Sequence, residues 1–329
     1  MKTYWIIISS PFQNYRTVCE VLIRAIPLII IALGVSVAYR SGIINIGAEG
    51  QMAMGIIAAT SMAFAVGNAP KVIALPLCIL AGMAAGAAWG FIPGFLKAKL
   101  DVSELLSTVM LNYVAAQFYS FCLRVPLMDP AEIAGGGTGT AMSAKLPGNT
   151  ILTKLIRGTV LHQGIWIALV LAVIIYFLMW KTSVGYKMRA SGASERAARY
   201  GGINVALFLV VSMAISGGFA GIAGAVEVMG THGRALEGIT SGYGFSGIVV
   251  ALFGGLHPAG IIPAALLFGI LLYSQVSLQL FTNVPPNLVT ALQGVIILVI
   301  VAVKMIIDNP YMIEKFRKRF FSSKKEVTA

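Results

Sequence analysis

The chain has 329 residues, 58% of them hydrophobic and 11% charged, and a mean hydropathy of +0.87. A water-soluble domain is about half apolar and a quarter charged, so a soluble enzyme is excluded, and apolar runs recur from residue 20 to residue 307 with no block polar enough for a second core. The net charge of +12 would suggest nucleic acid only if it formed a binding surface, whereas here it follows membrane topology.

Met1 to Arg16 holds a short apolar run, Tyr4 to Ile8, which is too short to span and lacks the small-residue cleavage site of a signal peptide. A spanning helix needs about 20 mainly apolar residues. Candidates follow at 20–39, 43–66, 71–96, 103–123, 163–181, 204–226, 241–256, 259–280 and 287–307. The expected fold is therefore an all-α integral membrane protein, a polytopic bundle of about nine or ten transmembrane helices. Its expected layout is an N-terminal segment 1–19, a transmembrane domain 20–308 and a basic tail 309–329. The odd count puts the N-terminus outside, unless Met1 to Pro11 is the remnant of a further helix.

Positive residues beside short loops stay cytoplasmic. One threading places Arg40, Lys97, Lys99, the five Lys and Arg of 181–203 and the seven from Lys304 to Lys325 on a single side, inside, with the C-terminus. The long hydrophilic stretch 124–161 then lies outside, and its Gly and Pro content suits an irregular platform on which a partner docks. Cys19, Cys78 and Cys122 lie far apart in apolar segments and read as free, buried thiols.

The string Asn45-Ile46-Gly47-Ala48-Glu49-Gly50-Gln51 sets a carboxylate and two amides at the start of the second span. A charge at the centre of a spanning helix costs about 2.5 to 3.5 kcal/mol. Glu49 therefore either faces an aqueous path or lies near the interface and caps its own helix. In the third span, Gly82, Gly86, Gly90 and Gly94 recur every fourth residue on one face, the spacing that lets membrane helices pack backbone to backbone, and Gly217 and Gly221 repeat it. Asn112, Tyr113, Gln117, Glu227, Tyr243 and Gln275 are polar groups in or near spans. Each either meets a polar solute or makes interhelical hydrogen bonds. With Asn45, Glu49 and Gln51, the residues Asn112, Tyr113, Glu227 and Tyr243 form the expected solute path.

The basic loop 182–203 contains a helix-forming core from Ser194 to Tyr200, which Ser194 is placed to cap. Such a helix fits a groove on a soluble partner; the alternative is a loop that only fixes topology. The segment 241–256 is short and glycine-rich, the pattern of a broken or re-entrant helix, tolerated only inside protein. His162, His232 and His257 are isolated at helix ends or in loops and suggest neither a metal site nor a proton relay. No Gly-x-x-x-x-Gly-Lys-Ser/Thr string occurs, so a P-loop is absent.

Ser41-Gly42-Ile43-Ile44-Asn45-Ile46-Gly47-Ala48-Glu49-Gly50-Gln51, then Glu195-Arg-Ala-Ala-Arg-Tyr-Gly-Gly-Ile-Asn204, Ser216-Gly-Gly-Phe-Ala-Gly-Ile-Ala-Gly-Ala-Val-Glu227 and Gly247-Ile-Val-Val-Ala-Leu-Phe-Gly-Gly255 occur in order over most of the chain. This set resembles the ABC importer permeases that serve ribose-type sugars, branched-chain amino acids and nucleosides, and its Asn45–Gln51 string is most similar to the nucleoside and simple-sugar branch. The resemblance implies a multi-pass protein of the bacterial plasma membrane, with no ATPase site or cofactor of its own. ATP and Mg are used by a cytoplasmic ABC ATPase, an external substrate-binding protein delivers the solute, and a second, different permease completes the pore, or else a second copy of the chain. It also implies that Ser194, Glu195, Ala197, Ala198, Gly202 and Ile203 form a coupling helix on the ATPase. A self-sufficient secondary transporter of a small polar solute is the alternative; it requires ion-coupling carboxylates near the midplane, for which Glu49 and Glu227 are the candidates.

Overall fold

A computed structural model describes residues 11, 13–133, 140–156, 158–281 and 294. The chain divides into two compact units, Met1–Ser274 and Gln275–Ala329, and apart from the last turns of the final helix everything that follows lies in the first. The segment before Pro11, the expected span 287–307 and the tail 309–329 fall outside the described residues.

The helices are α1 (Tyr15–Arg40), α2 (Ala48–Ala65), α3 (Lys71–Leu100), α4 (Glu104–Arg124), α5 (Pro130–Ile133), α6 (Gly164–Lys181), α7 (Ser183–Ala193), α8 (Glu195–Tyr200), α9 (Val205–Glu227), α10 (Tyr243–Phe253) and α11 (Pro258–Phe281). Among the described residues, five helices are long and apolar enough to cross a membrane by length and composition. The chain is a polytopic helical membrane bundle.

Exposure divides the helices as a membrane requires. From Ala25 to Val35 helix α1 is apolar all round, and an all-apolar stretch belongs in an interior; Ile26, Leu28, Ile30, Ile31 and Leu33 are fully buried, with α9, α10 and α6 around the helix. Helices α3 and α6 instead turn Val72, Leu80, Phe91, Trp166, Val173 and Phe177 outward. Such a surface suits lipid or a partner helix and not water.

Helix α9 is the centre of the packing, against α3, α1 and α2. A Cβ added to Gly90 would lie 2.7 Å from the Met213 carbonyl oxygen, one on Gly82 would lie 2.9 Å from Ala225 Cβ, and one on Gly86 would overlap the Gly217 carbonyl. Gly94 meets Met213 in the same way. From the other side, a Cβ on Gly221 would strike the Gly82 carbonyl, and α2 joins the seam where Gly55 meets Gly221. Lipid tails are as apolar as Leu, so helices in a membrane associate through this kind of contact.

Several elements differ from the sequence expectation. The first span begins at Tyr15, five residues before 20, because Asn14 and Thr17 close a reciprocal cap at its start. The second does not run from 43: residues 41–47 are non-helical and α2 starts at Ala48. The loop expected over 182–203 is mostly helix. The Thr182 hydroxyl accepts the Gly185 N–H and starts α7, whose two glycines, Gly185 and Gly192, mask it in the sequence. The third span continues to Leu100 through Pro76 and Pro93. The segment 241–256 holds an 11-residue helix, about 16 Å long and half of the roughly 30 Å that a bilayer core requires.

The stretch after α4 has no strand among the described residues. It folds back on the segment that follows α9, where Ser143 and Leu146 donate their N–H groups to the carbonyls of Ala235 and Gly233. Among the histidines, His162 is buried, and its Nδ1 accepts the Gly164 N–H at the start of α6; burial pushes its pKa down to about 4, so the ring stays neutral.

Replacing Gly86 or Gly90 with Leu is expected to abolish assembly, because a bulky side chain must separate backbones now in contact. Yield of monodisperse protein in detergent, compared with Gly148→Leu, where a Cβ meets nothing within 4 Å, measures this; normal yield at both seam positions would place that face away from α9.

Candidate functional site

The non-helical segment 41–47 lies inside the bundle, where irregular backbone persists only if protein satisfies it. The polar residues of the string do this. Asn45 Oδ1 accepts the Gly47 N–H at 2.9 Å, an Asx turn. Its Nδ2 donates to Gln51 Oε1 and to Ser216 Oγ on α9, both at 2.8 Å, and Gln51 Nε2 donates back to Asn45 Oδ1. From α4, Asn112 donates to the Ile46 carbonyl and accepts the Gly50 N–H. Asn45 and Gln51 are completely buried. The three amides thus hold an unwound stretch of chain between α2, α4 and α9.

Glu49 does not cap its own helix. Its carboxylate reaches across to the start of α10, where Oε1 accepts the Gly242 N–H at 3.0 Å and Oε2 the Gly244 N–H at 2.7 Å. Gly242 holds φ 75° as the cap residue of α10. A Cβ on Gly244 would fall 2.7 Å from Glu49 Oε2 and closer still to the Glu49 backbone. A negative charge on two unpaired N–H groups at a helix N-terminus is favourable by both hydrogen bonding and dipole.

Beside this cap lies a cavity of about 690 Å³. Its walls are α2 (Glu49, Gly50, Ala53), α4 (Asn112, Ala116, Gln117, Tyr119, Ser120, Phe121, Arg124) and the approach to α10 (Glu237, Gly238, Thr240). Glu237 accepts from Ser120 Oγ at 2.9 Å and from Arg124, and the Ser120 hydroxyl and the Arg124 guanidinium hold its carboxyl below the ordinary range. Tyr119 donates to the Leu236 carbonyl. The Gln117 amide makes no hydrogen bond among the described residues and is exposed.

The expected path residues therefore separate. Glu49 and Asn112 reach the cavity, Asn45 and Gln51 lie behind its wall, and Tyr113 is 67% exposed on the outer face of α4. Glu227 and Tyr243 are buried away from the cavity, and His232 Nε2 stands 3.5 Å from Glu227 Oε1. Gln117 was singled out in the sequence only as one of several polar residues. Arg124, Glu237 and Thr240 carry no local pattern that marks them, since they meet only when α4 and the 237–240 stretch fold together.

The expected coupling residues form one capped turn. Ser194 Oγ accepts the Ala197 N–H, and Glu195 pairs with Arg199 one turn on. The Ile203 and Gly202 N–H groups return to the carbonyls of Ala198 and Arg199 with Gly202 at φ 75°, a Schellman ending that only a residue tolerant of positive φ completes. Ala198 faces inward; Glu195, Ala197 and Gly202 face out. So does Tyr200, 94% exposed, which sequence reasoning passed over.

Glu49→Gln is expected to destabilise the protein by about 1 to 3 kcal/mol, the cost of leaving a buried donor unpaired, because the amide replaces one acceptor oxygen with a donor that faces an N–H. Uptake should fall with it, since α10 begins at the cavity. Thermal unfolding in detergent and uptake in vesicles check both, and unchanged values in each would contradict the cap.

The chain matches the family described as branched-chain amino acid transport system permease components over residues 17–301. It is 38% identical to the guanosine ABC transporter permease protein NupP of Bacillus subtilis, covering 87% of this chain and 81% of the relative. It is 34% identical to the nucleoside ABC transporter permease protein NupB of Lactococcus lactis, covering 91% and 82%, and 33% identical to the glucose ABC transporter permease protein TsgB13 of Haloferax volcanii, covering 92% and 80%. No solved structure matches it. With a helical membrane bundle, a polar cavity and a capped, exposed helix already in place, these matches establish that the chain belongs to the family of membrane permease components of ABC transporters.

Proposed function

We propose that this permease passes an uncharged, hydroxyl-rich solute, a nucleoside or a simple sugar, into a bacterial cell. The observation that carries this reading is that every charged side chain on the cavity wall already has a partner within the protein. Glu49 is bound by the backbone of α10 and Arg124 by Glu237. A zwitterionic amino acid or a phosphorylated compound brings charges that need free counter-charges in a confined site. A neutral solute needs hydrogen-bonding groups and flat apolar surface, which Gln117 and Phe121 supply, and a volume of a few hundred Å³ is the usual size of a small-ligand site.

Energy comes from outside the chain. A separate ATPase subunit uses ATP and Mg, and its docking surface is the outward side of α7 and α8, with Glu195 and Tyr200 at its centre. An external substrate-binding protein delivers the solute to the 124–161 side, a second permease completes the pore, and the C-terminus is cytoplasmic. The names of the relatives, which speak of guanosine, nucleosides and glucose, agree in giving neutral solutes.

Two measurements test this. A strain without the gene should lose uptake of a labelled nucleoside or sugar in a panel with ribose, riboflavin and leucine; loss of leucine uptake alone would overturn the solute class. Glu195→Lys should enter the membrane normally, since its exposed pair with Arg199 contributes only about 0.3 to 0.5 kcal/mol. Uptake should nevertheless fall at least tenfold. Wild-type uptake and ATPase stimulation in that variant would remove α8 from the docking surface.

A further inference from the structure

Helix α10 is held by charge at both ends. Its start sits on the Glu49 carboxylate. Its end closes in a Schellman turn, in which the Leu256 and Gly255 N–H groups return to the carbonyls of Ala251 and Leu252. Gly255 and Leu256 take φ 65° and 56°, a conformation a leucine adopts only when its surroundings enforce it. Arg40, the last residue of α1, grips this turn. Its Nε donates to the Leu256 carbonyl at 2.6 Å and its Nη2 to the Gly255 carbonyl at 3.2 Å. A cation at the C-terminal end of α10 and an anion at its N-terminal end both match the helix dipole.

Arg40 also belongs to the cytoplasmic joint. Its guanidinium lies 4.8 Å from the centre of the Trp180 ring at the end of α6, Arg189 of α7 lies 6.0 Å from the same ring, and His257 meets it edge to face at 4.6 Å. The Arg40 carbonyl presses on Gly192 of α7, where a Cβ would overlap it. The elements that lead to the exposed helix α8 and the end of α10 thus converge on one side chain.

We infer that Arg40 is a positioning residue for coupling: movement of α7 and α8 on the ATPase shifts Arg40, α10 moves with it as a rigid strut, and the Glu49 end opens or closes the cavity wall. This relay rests on the reading of α7 and α8 as the docking surface. Arg40 touches neither solute nor nucleotide, so its role shows in the ratio of solute moved to ATP hydrolysed and not in ATP hydrolysis itself.

The test reconstitutes the full transporter, with its ATPase subunit and binding protein, in proteoliposomes and measures ATP turnover and uptake on the same vesicles. Arg40→Gln is expected to keep basal hydrolysis within twofold and lower solute moved per ATP at least tenfold. Arg40→Lys, which keeps the charge but loses the two-donor fork, should recover part of it. The double variant Arg40→Gln with Glu49→Gln should be no worse than the worse single one, although residues this far apart, about 16 Å along α10, ordinarily act independently. Where Arg40→Gln does not assemble, Trp180→Leu removes the ring that seats the guanidinium and carries the same expectation. Normal coupling in these variants while Glu195→Lys is uncoupled, or effects that multiply in the double variant, would overturn the relay. Normal coupling in Glu195→Lys would instead overturn the docking reading.

Discussion

A helix that begins inside a membrane bundle presents N–H groups that lipid cannot satisfy, and α10 is such a helix. Its 11 residues reach about half way across a bilayer core, so the protein must provide what a longer helix would provide for itself. Glu49 does so with both carboxylate oxygens. This requirement explains the residues around it. The carboxylate arrives only because the chain unwinds between Arg40 and Ala48 and re-enters the bundle, and the unwound stretch is held in turn by Asn45, Gln51 and Asn112. The nine-residue step from Arg40 to Glu49 therefore places one charge at each end of α10.

The rest of the bundle supplies rigidity. Close approach of α3 to α9 through Gly82, Gly86, Gly90, Gly217 and Gly221 leaves little freedom for either helix to rotate. The buried α1 ties that pair to α10, where a Cβ on Gly247 would fall 2.5 Å from Ile31. Against this frame the outward side of α8 and the cavity beside Glu49 remain accessible. Among the described residues, each charged side chain on the cavity wall has a partner within the protein, Glu49 in the backbone of α10 and Glu237 in Arg124.

Much of this was legible in the sequence. Long apolar runs gave the spans at 71–96, 163–181, 204–226 and 259–280 to within a few residues, because length and composition suffice for a helix in lipid. The four-residue glycine spacing pointed to close packing before any partner helix was known, and Ser194 marked the start of α8. What stayed hidden depended on distant residues. Glu49 reads as a candidate for its own helix N-terminus, since nothing local reveals that its acceptors serve Gly242 and Gly244, almost two hundred positions away. Asn45 and Gln51 look like solute ligands for the same reason: a buried amide that satisfies backbone and one that faces a pathway have identical sequence signatures. The helix α7 was lost among glycines, and the Arg40 joint among residues that otherwise only report topology.

The central claim is that α10 is a rigid element fastened at both ends, and hydrogen exchange of residues 243–253 in the assembled transporter tests it most directly, followed with and without ATP. The account predicts amides of α10 protected to the same degree in both states, while residues 237–242, on the cavity side of Glu49, change their exchange between them. Exchange throughout 243–253 as fast as in the 140–156 stretch, or protection that disappears in one state, would contradict it.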